Sequence, residues 1–99
     1  MGIQKRFFKT KGECEVTFEC NAPDAESAAL VCEANGWQPI AMARKRSGPF
    51  RARLRLPKGG EYQFRYLVDG RDWINDEAAD AYRPNEYGGE NGVVSTLGA

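Results

Sequence analysis

The 99-residue chain contains no histidine. That absence excludes a histidine general base and the commonest zinc ligand sets, which rely on the imidazole side chain. Cysteine is scarce too: Cys14, Cys20 and Cys32 form an odd set without C-x-x-C spacing. On one extended strand Cys14 and Cys20 would stand about 20 Å apart, beyond disulfide reach, so all three read as reduced, small apolar residues. No run approaches the roughly twenty apolar residues that cross a bilayer, and the basic opening MGIQKRFFKTKG lacks the apolar stretch of a secretory signal. A soluble, cytoplasmic protein without a membrane partner is expected. An excess of either charge is also missing, with fourteen basic and fourteen acidic residues. No overall field therefore draws the molecule to nucleic acid.

The charges that are present are segregated. Seven basic residues and no acid lie between Arg44 and Lys58, whereas eight acids from Glu61 onward face only Arg65, Arg71 and Arg83. Short runs rich in Val, Thr, Phe, Tyr and Leu recur between Gly, Pro, Asn and Asp, the pattern of an all-β sandwich or small barrel. About seven antiparallel strands are expected, in one domain spanning 1–99. Ile3–Lys9 turns at Thr10-Lys11-Gly12 into Glu13–Cys20, with Val16, Phe18 and Cys20 facing inward. Phe7 and Phe8 point to opposite faces, which places one of them to cover an edge or meet a partner. Ala28–Ala34 reads as a central strand and Ile40–Ala43 as a short one. In FRARLRL, Phe50, Ala52, Leu54 and Leu56 share one face, opposite Arg51, Arg53 and Arg55. Tyr62, Phe64, Tyr66 and Val68 likewise share a face of Glu61–Val68, so the two runs around Pro57–Gly60 are expected to pair as a hairpin. Asn75 is placed to cap one short helical turn over Asp76–Tyr82, stopped by Pro84. A long turn over 85–92 and a last strand, Val93–Leu97, complete the chain.

Candidate chemistry is sparse. Calcium of the EF-hand type is excluded, because Gly70 follows Asp69 directly and Arg71 occupies the third loop place. Asp72, Asp76, Glu77 and Asp80 offer carboxylates for glycosidic chemistry, but no spacing demands it and an exposed helix leaves them solvated, which disfavours catalysis. The arginine row of FRARLRL suits phosphates, yet only one aromatic interrupts the basic block, and Glu15 and Glu19 can neutralise it from a neighbouring strand. No metal or cofactor is called for. Trp37 and Trp73 are more informative. Each follows a turn signal, Asn35-Gly36 or Asp69-Gly70, and precedes irregular chain. An uncovered indole wants a flat apolar partner, and a glucose ring offers one in its axial C–H groups, rimmed by hydroxyls that need hydrogen bonds.

Several segments, in order, resemble a known family. ALVCEANGWQP, FRARLRLPKGGEYQFRYLVDG, WINDEAAD and NEYGGENGVVS together are similar to the family 48 carbohydrate-binding module. That glycogen-binding domain occurs in the β subunit of AMP-activated protein kinase and ahead of the catalytic barrel of branching enzymes and isoamylases. The resemblance implies an immunoglobulin-like β-sandwich that binds α-1,4-linked glucan without cutting it. On the matching positions, Trp37 and Trp73 become stacking platforms, and Arg65 stands where the family has a hydroxyl-binding Lys. Asn91 becomes a second polar contact. Tyr87 replaces a residue that touches sugar in the kinase-type module, and can itself stack or hydrogen-bond. The expected partner is an α-glucan polysaccharide or oligosaccharide bound by a monomer. The alternatives are a protein-interaction domain docking on a separate glucan-metabolising enzyme of the glycoside hydrolase family 13 type, and a subunit supplying carboxylates to a glycoside hydrolase.

Overall fold

The structure, a computed structural model, describes residues 2–9, 12–46 and 48–97. Among them are nine strands: β1 Gly2–Phe7, β2 Glu13–Cys20, β3 Ala28–Cys32, β4 Ile40–Ala41, β5 Phe50–Pro57, β6 Glu61–Val68, β7 Asp72–Ile74, β8 Ala81–Pro84 and β9 Glu90–Ser95, with one 3-10 turn at Glu33–Asn35. All pair antiparallel, in a three-stranded sheet β1-β2-β5 and a six-stranded sheet β4-β3-β6-β9-β8 whose β7 also pairs with β6. The two sheets form an immunoglobulin-like β-sandwich.

Strict alternation builds the core. Cys14, Val16, Phe18 and Cys20 of β2 and Phe50, Ala52 and Leu56 of β5 are buried against Leu30 and Cys32 of β3, Phe64, Tyr66 and Val68 of β6, and Val94 of β9. Phe18 meets Phe64 edge-on across the sheets, with centroids 5.0 Å apart, and Phe64 meets Tyr66 at 5.7 Å. Full burial of rings such as Phe18 and Phe64 contributes about 2–3 kcal/mol each. The three cysteines are free and buried as expected, and burial raises all three thiols, Cys20 to about 11.

The hairpin expected between β5 and β6 does not form: the two strands lie in different sheets. Their apolar faces meet across the core instead of side by side. The Pro57–Gly60 turn carries the chain between layers and is fastened to Thr96, whose hydroxyl donates to Pro57 O at 2.7 Å and accepts from Gly60 N at 3.0 Å. Backbone bonds from Gly59 N to Thr96 O and from Thr96 N to Gly60 O complete this latch. Strand β5 pairs with β2, where Arg51 stands opposite Glu19 and Arg55 opposite Glu15. Arg51 and Glu19 close to 2.5 Å, Arg55 and Glu15 to 3.9 Å. Opposed charges of this kind contribute little stability at the surface but disfavour a slipped register.

No helical turn forms over Asp76–Tyr82. Asp76 turns inward, accepts from Ala78 N at 2.8 Å and so closes a side-chain turn, after which Ala81–Pro84 extends as β8. Asp and Asn suit such turns for the reason that they suit helix caps: a short side-chain oxygen reaches a nearby N–H. Pro84 lies on an edge strand, where its missing N–H costs no ladder bond. Strand β3 gives way to the 3-10 turn at Glu33, and β9 begins at Glu90, earlier than expected. β1 and β2 pair as anticipated, while the connection at Thr10-Lys11 lies outside the described residues. Phe7 packs against the core, and the guanidinium carbons of Arg6 and Arg55 lie 5.5 and 5.0 Å from the Phe8 ring centroid.

Candidate functional site

Alternation on β6 sends Phe64, Tyr66 and Val68 into the core and leaves Gln63, Arg65 and Leu67 on the outer face of the larger sheet. In register with them, Val31 of β3 stands opposite Arg65, and Trp73 of β7 opposite Leu67. Trp73 therefore belongs to a short strand, not to irregular chain, and is held there by the Asp69-Gly70 turn. Both turn residues have positive φ, 53° and 68°, as a tight I′ hairpin turn requires. The Asp69 carboxylate also accepts from Glu26 N and Ser27 N, which ties this hairpin to the loop before β3.

Trp37 arrives differently. The 3-10 turn ends with Gly36 at φ 73°, Gly36 N donating to Glu33 O and Trp37 N to Cys32 O, the paired bonds of a Schellman cap. Glu33 accepts from Gln63 N at 2.9 Å, fastening the turn to β6. Trp37 itself has φ 65°, a left-handed conformation that costs a side-chain-bearing residue about 1–2 kcal/mol. Burial does not explain that cost, since the residue remains 41% exposed; Trp73 is 49% exposed. Strain of this kind persists where the surrounding structure imposes it, often at binding sites.

Polar side chains accompany the indoles. The Arg65 guanidinium carbon lies 5.9 Å from the Trp73 ring centroid, within cation–π range. Asn91 donates to Gln63 Oε1 at 3.0 Å and accepts from Asn85 Nδ2 at 3.2 Å. Asn85 in turn accepts from Tyr87 N and Gly89 N, which shapes the loop that presents Tyr87, 88% exposed. Trp37, Arg65, Trp73, Tyr87 and Asn91, the residues singled out in the sequence, all line one open cleft of about 810 Å³, together with Val31, Asn85 and Glu86.

Sequence reasoning did not pick out those last three. Val31 falls in the central strand expected over Ala28–Ala34, but its place in the cleft lining depends on its pairing with β6; the local signal at Asn85 is an Asn opening a Gly-Gly turn. The carboxylates considered for glycosidic chemistry are scattered. Asp76 is buried under Tyr66, Asp80 pairs with Lys5 at 2.7 Å, Asp72 with Arg71 at 3.5 Å, and Glu77 is exposed. Glu86 is the one acid lining the cleft, so the pair of facing carboxylates that glycoside hydrolysis uses is not assembled there. Among the described residues no group of three or more His, Cys, Asp or Glu side chains is placed to hold a metal ion, and no helix is long and apolar enough to cross a membrane.

The chain matches no protein-family model and no curated protein sequence. Its fold is similar to part of a solved structure, the enterobactin esterase FES from Shigella flexneri determined in the presence of 2,3-dihydroxy-N-benzoyl-serine, with a TM-score of 0.76 at 13% identity. The similarity covers 95% of this chain and 32% of the esterase, so the sandwich spans about a third of that longer chain.

Proposed function

We propose that this domain is a non-catalytic binding module for α-1,4-linked glucan such as glycogen, consistent with its sequence resemblance to the family 48 carbohydrate-binding modules. One observation carries the reading: Trp37, Arg65, Trp73, Tyr87 and Asn91, drawn from separate stretches of chain, line a single open cleft. Indole faces suit the apolar faces of glucose rings, while guanidinium and amide groups suit the hydroxyl rim. A shallow, open site buries little surface, so dissociation constants between about micromolar and millimolar are expected. The unpaired, buried cysteines favour a reducing, cytoplasmic setting.

Titrating maltoheptaose while following both indole N–H resonances tests the reading. Shifts of both in the wild type, and loss of the remaining indole's shift in W37A and in W73A, are the expected result; unmoved wild-type resonances at millimolar sugar would refute it. A flat aryl acid, 2,3-dihydroxy-N-benzoyl-serine, is the informative competitor, because aromatic stacking alone would let it displace the sugar. The second reading is a protein-interaction domain docking on a separate glucan-metabolising enzyme. The observation favouring it is that a sandwich of similar fold forms about a third of an esterase chain. Binding to such an enzyme that survives W37A and W73A, with no glucan retained, would select it.

A further inference from the structure

Strand β6 changes partner part-way along one edge. Residues 61–64 pair with β9 and residues 66–68 with β7, leaving Arg65 at the seam, where no residue of either strand stands opposite it on that edge. Asn75, the first residue after β7, spans this break with its side-chain amide. Its Nδ2 donates to Glu90 O at the start of β9 at 2.8 Å, and its Oδ1 accepts from Arg65 Nε at 3.0 Å. One amide thus joins the ends of two strands to the cation between them. With Nε engaged, the guanidinium loses rotational freedom about its own stem, while its Nη hydrogens are not used by that bond, and its carbon sits 5.9 Å from the Trp73 ring.

We infer that Asn75 is a positioning residue for the cleft. It is absent from the cleft lining and acts through Arg65, fixing the guanidinium against Trp73 so that the forked Nη donors meet a pair of ligand oxygens in one orientation. A planar fork discriminates in favour of oxygen pairs at matched spacing only when its plane is held, because a freely rotating head spends ordering entropy on each contact. Asn75 also couples the two sides of the site. Trp73 lies on the strand it terminates, and Asn91 on the strand it fastens.

The sugar-binding part of this inference rests on the glucan reading; the restraint on Arg65 does not, and the experiment separates them. Two readouts are taken on the wild type, N75A, R65A and the double variant: maltoheptaose affinity, and solvent exchange of the Arg65 Nε–H resonance. The wild-type Nε–H should exchange slowly and that of N75A roughly five- to tenfold faster, as expected for loss of one hydrogen bond. N75A should weaken maltoheptaose binding roughly five- to tenfold, and should add little once Arg65 is gone, because both changes remove one coupled unit. A merely structural Asn75 would weaken binding by the same factor with and without Arg65, and that additivity overturns the inference. Unchanged Nε–H exchange in N75A overturns it too, whatever the sugar does. Absence of wild-type binding with faster Nε–H exchange in N75A would instead reject the glucan reading and retain Asn75 as the restraint on Arg65.

Discussion

The Tyr66 hydroxyl donates to the Asp76 carboxylate at 2.7 Å, and both residues are fully buried. The same aspartate accepts from Ala78 N, and its backbone carbonyl accepts from the Tyr82 hydroxyl at 2.5 Å. A carboxylate is tolerated at this depth because its oxygens find donors; removing it leaves a phenol and an amide without partners. D76A is expected to cost about 3 kcal/mol, read as a Tm lower by roughly 10–20 °C for a domain of this size. D76N, which keeps an acceptor oxygen, should lose less. Urea denaturation checks both, and a D76A cost no larger than that of E77A at the adjacent exposed position would rule the network out as a determinant of the fold.

Burial, reinforced by the charge of Asp76, holds Cys20 at about 11 against its ordinary 9.0. Burial followed by the bond to Asp76 raises Tyr66 well above its ordinary 10.0. In both cases the folded chain keeps a proton that the unfolded chain releases, so the stabilisation is complete at neutral pH and declines as pH rises. The decline begins near pH 9 through Cys20, flattens for that group near 11 where the folded thiol also ionises, and steepens above pH 10 through Tyr66. Each group contributes a slope of up to about 1.4 kcal/mol per pH unit. Urea midpoints between neutral pH and pH 10.5 should fall accordingly, with C20A removing only Cys20's share of the early fall and leaving the share of the similarly raised Cys14 and Cys32 thiols. A midpoint independent of pH over that range contradicts the assignment.

How much of this was written in the sequence depends on what fixes each feature. Period-two runs named the inward faces of β2, β5 and β6 correctly, since alternation reports which face meets the core. It does not report which strand lies alongside, and β5 and β6, adjacent in sequence and alike in pattern, fall in opposite layers. Trp37 and Trp73 are legible because an indole beside a turn is a local signal, and the outward position of Arg65 follows from alternation; Tyr87 and Asn91 enter only through the family resemblance. Asn75 was legible only as a cap. Its actual task arises where β6 exchanges β9 for β7, a junction that long-range pairing creates. Asp76 was misplaced for a related reason, as the side chain that would start a helix also closes a tight turn.

Trp37 carries an indole at φ 65°, which leads to an unusual expectation for its replacements. W37A keeps a Cβ in the left-handed region, whereas W37G removes it, so W37G should be the more stable of the two by about 1 kcal/mol even though glycine ordinarily lowers stability. Both should lose maltoheptaose binding. Thermal unfolding of the pair measures the strain directly. Equal stabilities, or a W37G that falls below W37A, would show that the left-handed backbone at this position carries no strain.

Asn85 offers the last separation, between building the fold and building the site. Its Oδ1 accepts from Tyr87 N at 2.9 Å and Gly89 N at 3.1 Å, and its Nδ2 reaches Asn91. All of these bonds lie in the β8–β9 loop or at its base, and none involves a side chain of the buried cluster of Phe18, Phe64 and Tyr66. N85A should therefore cost only about 1–2 kcal/mol of stability. The loss of affinity should resemble that of Y87A, roughly three- to tenfold, because a phenol on an unfastened loop must be ordered again at each binding event. The two effects should also overlap: in a Y87A background, N85A should weaken maltoheptaose binding by much less than it does alone, leaving only its action through Asn91. Independent, fully additive losses would mean that Asn85 serves the cleft through Asn91 and not by presenting Tyr87.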